Sequence, residues 1–205
     1  MSAIGILGGT FNPPHLAHVA LAQHALRQLG SDRVLLIPAA VAPHKPAGQD
    51  PGPEHRLQMC RLAIGQSTGL SVCALELGRG GPSYTVDTLR EIHARHPDAQ
   101  LTFIMGADMA RTLPAWRAPH EILELAELAL AERDGDDQKQ LSETLSSLHP
   151  GVRVRFLDMP AMNLSSSTVR EHAARGEPIE QFVGPAVAAY VIEHGLYREP
   201  ARVSR

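Results

Sequence analysis

The residues best suited to chemistry lie near the amino terminus, in Gly8-Gly9-Thr10-Phe11-Asn12-Pro13-Pro14-His15-Leu16-Ala17-His18. Two consecutive glycines let backbone approach a ligand closely, and Thr10 adds a hydroxyl. His15 and His18 stand three apart at the start of an alanine- and leucine-rich stretch, so both rings leave one side of a first helical turn. A helix start presents unpaired N–H groups and the positive end of the dipole, which suits phosphate. Two imidazoles there add donors for the same anion. The competing reading makes His15 a turn residue and His18 a locally satisfied core histidine. Zinc would need a third and usually a fourth ligand, and neither H-E-x-x-H nor a cysteine-rich partner is present. The segment is neither a G-x-G-x-x-G fingerprint nor a G-x-x-x-x-G-K-[ST] loop.

Three further segments carry related chemistry: Pro43-His44-Lys45, Gly106-Ala107-Asp108, and Asn163-Leu164-Ser165-Ser166-Ser167-Thr168-Val169-Arg170. In the last, a serine at a helix start is ordinarily a cap. Only one cap is needed, however, and Arg170 follows one turn after Ser166. Hydroxyls, N–H groups and a guanidinium together also make a polyphosphate cradle, so cap and cradle both stand. Lys45 reads either as a solvated lysine or as a cation that closes over phosphate. Asp108 reads as the N-cap of the next helix or as an acceptor for ribose hydroxyls. Trp116, the sole Trp, reads as core or as a stacking surface beside Pro114 and Pro119.

The elements that must position these groups follow from the apolar rhythm. Apolar runs at 3–7, 34–37, 70–75, 101–105, 128–131 and 152–157 read as buried strands. Between and after them, helical patterns cover 16–29, 54–66, 84–96, 107–113, 119–126, 136–148, 166–175 and 185–194. Strand–helix alternation predicts an α/β, Rossmann-like, doubly wound parallel sheet with helices on both faces. In such a sheet ligands bind beyond the carboxyl ends of the strands, and all four chemical segments fall just after an apolar run. The stretch 39–53 holds Pro43, Pro46, Pro51 and Pro53 and is a long connection of the kind that carries function. The organisation expected is one domain over 1–197 with a polar tail at 198–205.

Composition narrows the function. Lys and Arg number 19 against 22 Asp and Glu, without a basic stripe, and aromatics are only 4%, which argues against nucleic acid as a partner. Apolar runs are too short to span a membrane, no basic leader precedes one, and Cys60 and Cys73 form no C-x-x-C pair. The expectation is a cytoplasmic protein of small-molecule partners with reduced cysteines; a homo-oligomer is left open. Eleven histidines are an excess that the first segment begins to explain.

These segments, in this order, resemble the nucleotidyltransferase superfamily with the (H/T)-x-G-H motif, and more narrowly the bacterial nicotinate-nucleotide adenylyltransferases. Residues 8–15, Ile37-Pro38 through Pro43-His44-Lys45, Ser83-Tyr84-Thr85-Val86-Asp87-Thr88-Leu89, residues 103–108, Trp116, residues 164–170 and His194-Gly195-Leu196-Tyr197 carry the resemblance, which runs from Ile4 to Tyr197. Three positions depart from it. Ala17 replaces a motif glycine, Asn12 stands where many members have Asp, and Arg133-Asp134-Gly135 replaces Arg-Pro-Gly.

The resemblance implies transfer of the adenylyl group of ATP to nicotinate mononucleotide, with release of pyrophosphate. It implies catalytic roles for His15, His18, Lys45 and Arg170. It implies an ATP site of Gly8, Gly9, Thr10, Phe11, His15, His18, Gly106, Asp108, Ser165, Ser166, Ser167 and Arg170. Its nicotinate-nucleotide site comprises Gly9, Thr10, Asn12, His44, Lys45, Thr85, Trp116 and Arg133. Mg²⁺ is expected to arrive with ATP, mostly water-coordinated, with no dedicated protein metal site. Alternatives are nicotinamide mononucleotide or phosphopantetheine as acceptor, a cytidylyl donor, or a nucleotide-binding regulator without catalysis.

Overall fold

The computed structural model describes residues 2–42, 49–131, 138–160 and 162–198. His44, Lys45 and Arg133 lie outside the described residues. Six strands, β1 (Ala3–Gly9), β2 (Arg33–Pro38), β3 (Leu70–Val72), β4 (Gln100–Gly106), β5 (Glu127–Ala131) and β6 (Val154–Leu157), form one sheet in the order β3-β2-β1-β4-β5-β6. Every pairing is parallel. The direction of winding reverses between β1 and β4, which places the crevice of a doubly wound sheet at their carboxyl ends.

Alternating side chains divide the core between the two faces. Ile4, Ile6, Leu35, Ile37, Leu101, Phe103, Leu128 and Leu130 pack on one side. They meet α4 (Thr85–Arg95), α6 (Pro119–Leu125) and α7 (Gln138–Leu148) through Leu89, Ile92, Ile122 and Leu145. Leu7, Val34, Leu36 and Ile104 face the other way, against α1 (Leu16–Leu29) and α2 (Pro53–Ile64). Gly5 makes the close strand spacing possible here, because a Cβ on it would stand 2.9 Å from both Ile104 and Val34. A third cluster joins α8 (Ser166–Ala174), α9 (Glu180–Val183) and α10 (Pro185–Glu193) to Met59 of α2.

The sequence expectations hold for all six strands and for α1, whose bounds are the expected ones. Three local differences have physical causes. The run 70–75 is a strand only to Val72; Cys73 N–H still donates to the Leu36 carbonyl at 2.9 Å, then the chain turns into α3 (Leu75–Arg79). As an edge strand β3 has only β2 to pair with, so little holds it extended. The single helix expected at 107–113 is α5 (Ala107–Ala110) followed by a 3-10 turn at Leu113–Ala115, because Pro114 cannot donate within an α-helix. Helix α9 is too short to show a periodicity. Among the described residues, no helix is long and apolar enough to cross a membrane.

One buried cation ties the carboxyl ends of β1 and β2 together. Arg56, 1% exposed, donates from Nη1 to the Thr10 carbonyl at 2.8 Å and from Nη2 to the Ala40 carbonyl at 3.0 Å. Its Nε meets the Asp50 carboxylate at 2.9 Å. A lysine has the charge but not the planar fork that reaches three acceptors in different directions. Arg56→Lys should therefore lower the free energy of urea unfolding by about 1–3 kcal/mol; an unchanged unfolding midpoint would contradict this role.

Candidate active site

The site begins where β1 ends. The β1–β4 pairing ends at Leu7 and Ile104, while Gly9 stays paired with Pro38 of β2 and Gly106 with Ala131 of β5. A Cβ at Gly9 would come within 3.1–3.2 Å of the Phe11 ring, and a side chain at Gly106 would run into the Asp108 carboxylate. Phe11 is 2% exposed and adopts φ 50°, a left-handed backbone unusual for an aromatic residue. That turn folds its ring back beneath Gly9 and against His18, with centroids 5.0 Å apart at 73°. The Asn12–Pro13 peptide bond that follows is cis.

His15 is the N-cap residue of α1, and its backbone N–H donates to Nδ1 of His18 at 3.1 Å. His18 thus stands where a capping box places Glu or Gln. Because Nδ1 accepts, the proton of the neutral ring rides on Nε2, which makes that nitrogen a donor. The two imidazoles stack at 3.7 Å with 25° between their planes. No acidic residue lies in the first turn of α1. His18 is half-buried rather than fully buried, and its Nδ1 is satisfied locally by His15.

Helix α8 brings a second amino terminus to the same place, again without an acidic residue in its first turn. Ser166 Oγ donates to the Pro13 carbonyl at 2.9 Å, and Arg170 Nη1 donates to the Asn12 carbonyl at 2.8 Å. The choice between cap and cradle resolves residue by residue. Ser165 is the cap, its Oγ accepting from Thr168 N–H at 3.1 Å, while Ser167 Oγ accepts from Arg170 Nη2 at 3.2 Å. Two helix starts, two imidazoles and a guanidinium converge on one rim of the sheet. Such a set attracts an anion with several negative oxygens.

Thr85 and Trp116 belong to a neighbouring wall. Thr85 opens α4, and the residues before it are docked on the end of β2: Ser83 N–H donates to the Val41 carbonyl and Ser83 Oγ accepts from Ala40 N–H, both at 2.9 Å. Beneath them lies Glu76, 6% exposed, which accepts from Thr88 Oγ1 at 2.6 Å. Burial pushes its carboxyl up from the ordinary range, and hydrogen bonds from Ser83 and Thr88 oppose that shift. Trp116 is half-buried, its Nε1 donating to Thr112 Oγ1 at 2.9 Å and its ring meeting Phe103 edge-on at 6.2 Å. Phe103 in turn lies against Gly8. Arg117 stacks over Tyr84 at 4.7 Å, so the Trp116 loop and the Thr85 segment touch.

Gly8, Gly9, Thr10, Phe11, Asn12, His15, His18, Ser165, Ser166, Ser167 and Arg170 therefore come together around one loop. Gly106 and Asp108 sit on the adjoining strand end, where Asp108 is exposed and follows the N-cap residue Gly106 rather than capping α5 itself. Among the described residues, no three His, Cys, Asp or Glu side chains are grouped as a metal cage. Sequence reasoning missed Arg56. A signal existed, since Arg56, Met59 and Cys60 share a helical face at spacings of three and four, and the last two are core residues.

Comparison with known proteins identifies the family. The cytidylyltransferase-like family model matches residues 6–172. A protein of Synechococcus sp. (strain JA-3-3Ab) named "Probable nicotinate-nucleotide adenylyltransferase" is 40% identical over 96% of this chain and 95% of its own length. One of the same name from Albidiferax ferrireducens is also 40% identical, over 97% and 99%. In fold, the chain is similar to Plasmodium falciparum nicotinic acid mononucleotide adenylyltransferase complexed with NaAD, with TM-score 0.78, 20% identity and 96% and 98% of the two chains covered. The chain belongs to the cytidylyltransferase-like family and, within it, to the nicotinate-nucleotide adenylyltransferases.

Proposed function

We propose that this protein joins the adenylyl group of ATP to nicotinate mononucleotide, forming nicotinate adenine dinucleotide and pyrophosphate. The observation that carries the reading is the meeting of two helix amino termini with the His15–His18 pair at the β1/β4 crevice. Near-identical length and 40% identity to relatives of that name support the choice of acceptor.

The acceptor's 5′-phosphate is already ionised, so its attack on the α-phosphorus needs no general base. What the step needs is alignment and neutralisation of charge developing on the α-phosphate and the leaving pyrophosphate. His18 donates from Nε2 to the reacting phosphate, and His15, stacked on it, shares that charge. The starts of α1 and α8 attract the triphosphate, while Arg170 serves it with guanidinium hydrogens not turned to Asn12 and Ser167. Lys45, which lies outside the described residues, is assigned to the same phosphates on the family resemblance alone. Asp108 accepts from the adenosine ribose beside Gly106. Trp116 stacks on the pyridine ring, and Thr85, with the N–H groups at the start of α4, receives the nicotinate carboxylate. Mg²⁺ enters as the ATP complex; a donor set of N–H groups and cations fits phosphate oxygens rather than a bare cation. Both substrates are small nucleotides, and the cytoplasm is the proposed site of the reaction.

Incubation with ATP, Mg²⁺ and each acceptor in turn tests the reading. Pyrophosphate release with nicotinate mononucleotide is expected, and release only with phosphopantetheine would overturn it. Binding of ATP without release for any acceptor would make the protein a regulator. His18→Ala should lower kcat by about 10²–10³-fold, the usual effect of losing one donor to a developing oxyanion, with an unchanged circular dichroism spectrum. Wild-type turnover would remove His18 from the mechanism. Trp116→Ala should raise KM for nicotinate mononucleotide roughly tenfold while leaving KM for ATP within about twofold, consistent with loss of one aromatic stack. Equal rises in both constants would place Trp116 in the scaffold instead.

A further inference from the structure

Asn12, in the loop between β1 and α1, is held from both ends of its side chain. Its Nδ2 donates to the Gln49 carbonyl at 3.3 Å, and its Oδ1 accepts from the Tyr197 hydroxyl at 2.7 Å, across 185 residues of chain. Gln49 offers a carbonyl, which can only accept, so Nδ2 must face it. Oδ1 must then face Tyr197, and the phenol must be the donor. A flipped amide would set two acceptors against each other inside a buried site, where Asn12 is 8% exposed.

The aim of Tyr197 is itself built in. Helix α10 ends in a Schellman turn: Gly195 adopts φ 60°, Gly195 N–H donates to Ile192 at 3.2 Å, and Leu196 N–H donates to Val191 at 3.0 Å. A side chain at Gly195 would resist that left-handed backbone. The turn sends the next residue back toward the sheet, and Tyr197 lands 7% exposed in the cluster of Met59, Val187 and Val191. Burial holds its phenol pKa far above the ordinary value, so the hydroxyl stays a donor at every working pH.

We infer that Tyr197 is a positioning residue for adenylyl transfer, its hydroxyl locking the Asn12 amide in one orientation and with it the loop that leads to His15. The inference rests on the proposed function for the reaction that reports it. It assigns the Gly195–Tyr197 ending of α10 to the active site rather than to packing alone.

A double-mutant cycle of Tyr197→Phe with Asn12→Ala tests it. The cycle is read twice, as kcat/KM for pyrophosphate release and as the ATP dissociation constant by calorimetry. Tyr197→Phe is isosteric and should fold, with a normal circular dichroism spectrum. Alone it should lower kcat/KM about tenfold and weaken ATP several-fold; in the Asn12→Ala background either effect should shrink below about twofold. Wild-type values for Tyr197→Phe would overturn the inference. So would losses of equal size with and without the Asn12 side chain, which a purely structural tyrosine would give. A wild type that binds ATP but is silent with nicotinate mononucleotide defeats the functional reading instead, and the calorimetric arm then decides this one.

Discussion

Carbonyl oxygens in the loop between β1 and α1 set the constraint on which the rest depends. Thr10, Asn12 and Pro13 lie in no strand or helix, yet the loop is largely buried, and unpaired buried carbonyls are expensive. Left to turn toward a bound triphosphate, they would also repel it. Pro13 and Pro14 make the problem sharper, because neither supplies an N–H. The fold answers with side chains from elsewhere: Arg56 takes Thr10, Arg170 takes Asn12, and Ser166 takes Pro13. Each pairs a carbonyl that would otherwise leave an unmatched negative dipole end beside the helix starts.

This arrangement changes the meaning of the few cations involved. A net charge of −3 gives no hint of an anion site, since the charges that matter are local. Arg56 contributes through hydrogen bonds and position, sealed from solvent by α2, while Arg170 is half-exposed and divides its donors between the loop and the rim. Helix α2 is accordingly more than a crossover. It joins the sheet through Cys60 and Ile64, the loop through Arg56, and the carboxy-terminal helices through Met59.

Much of the fold was legible because it is written in local patterns. Six apolar runs became six parallel strands, and the glycine–histidine segment fell at the carboxyl end of the first. Helix α3 was not legible, since Leu75 continues an apolar run that the edge position of β3 cannot keep extended. At the site, the histidines, glycines and serines were visible as types, but their partners were not. The pairs Arg56–Thr10, Arg170–Asn12 and Tyr197–Asn12 span 46, 158 and 185 residues. No periodicity connects such positions. The three serines illustrate the same limit, because identical residue types at 165, 166 and 167 make three different bonds once α8 meets the loop.

A site made of helix termini, imidazoles and a guanidinium can align and neutralise phosphates, so adenylyl transfer needs no side chain as a covalent carrier. Stereochemistry at the α-phosphorus tests that claim most directly. With ATP made chiral at this atom and nicotinate mononucleotide as acceptor, a single in-line displacement predicts inversion in the dinucleotide product. Retention would mean two displacements through an adenylylated side chain, and would contradict the account.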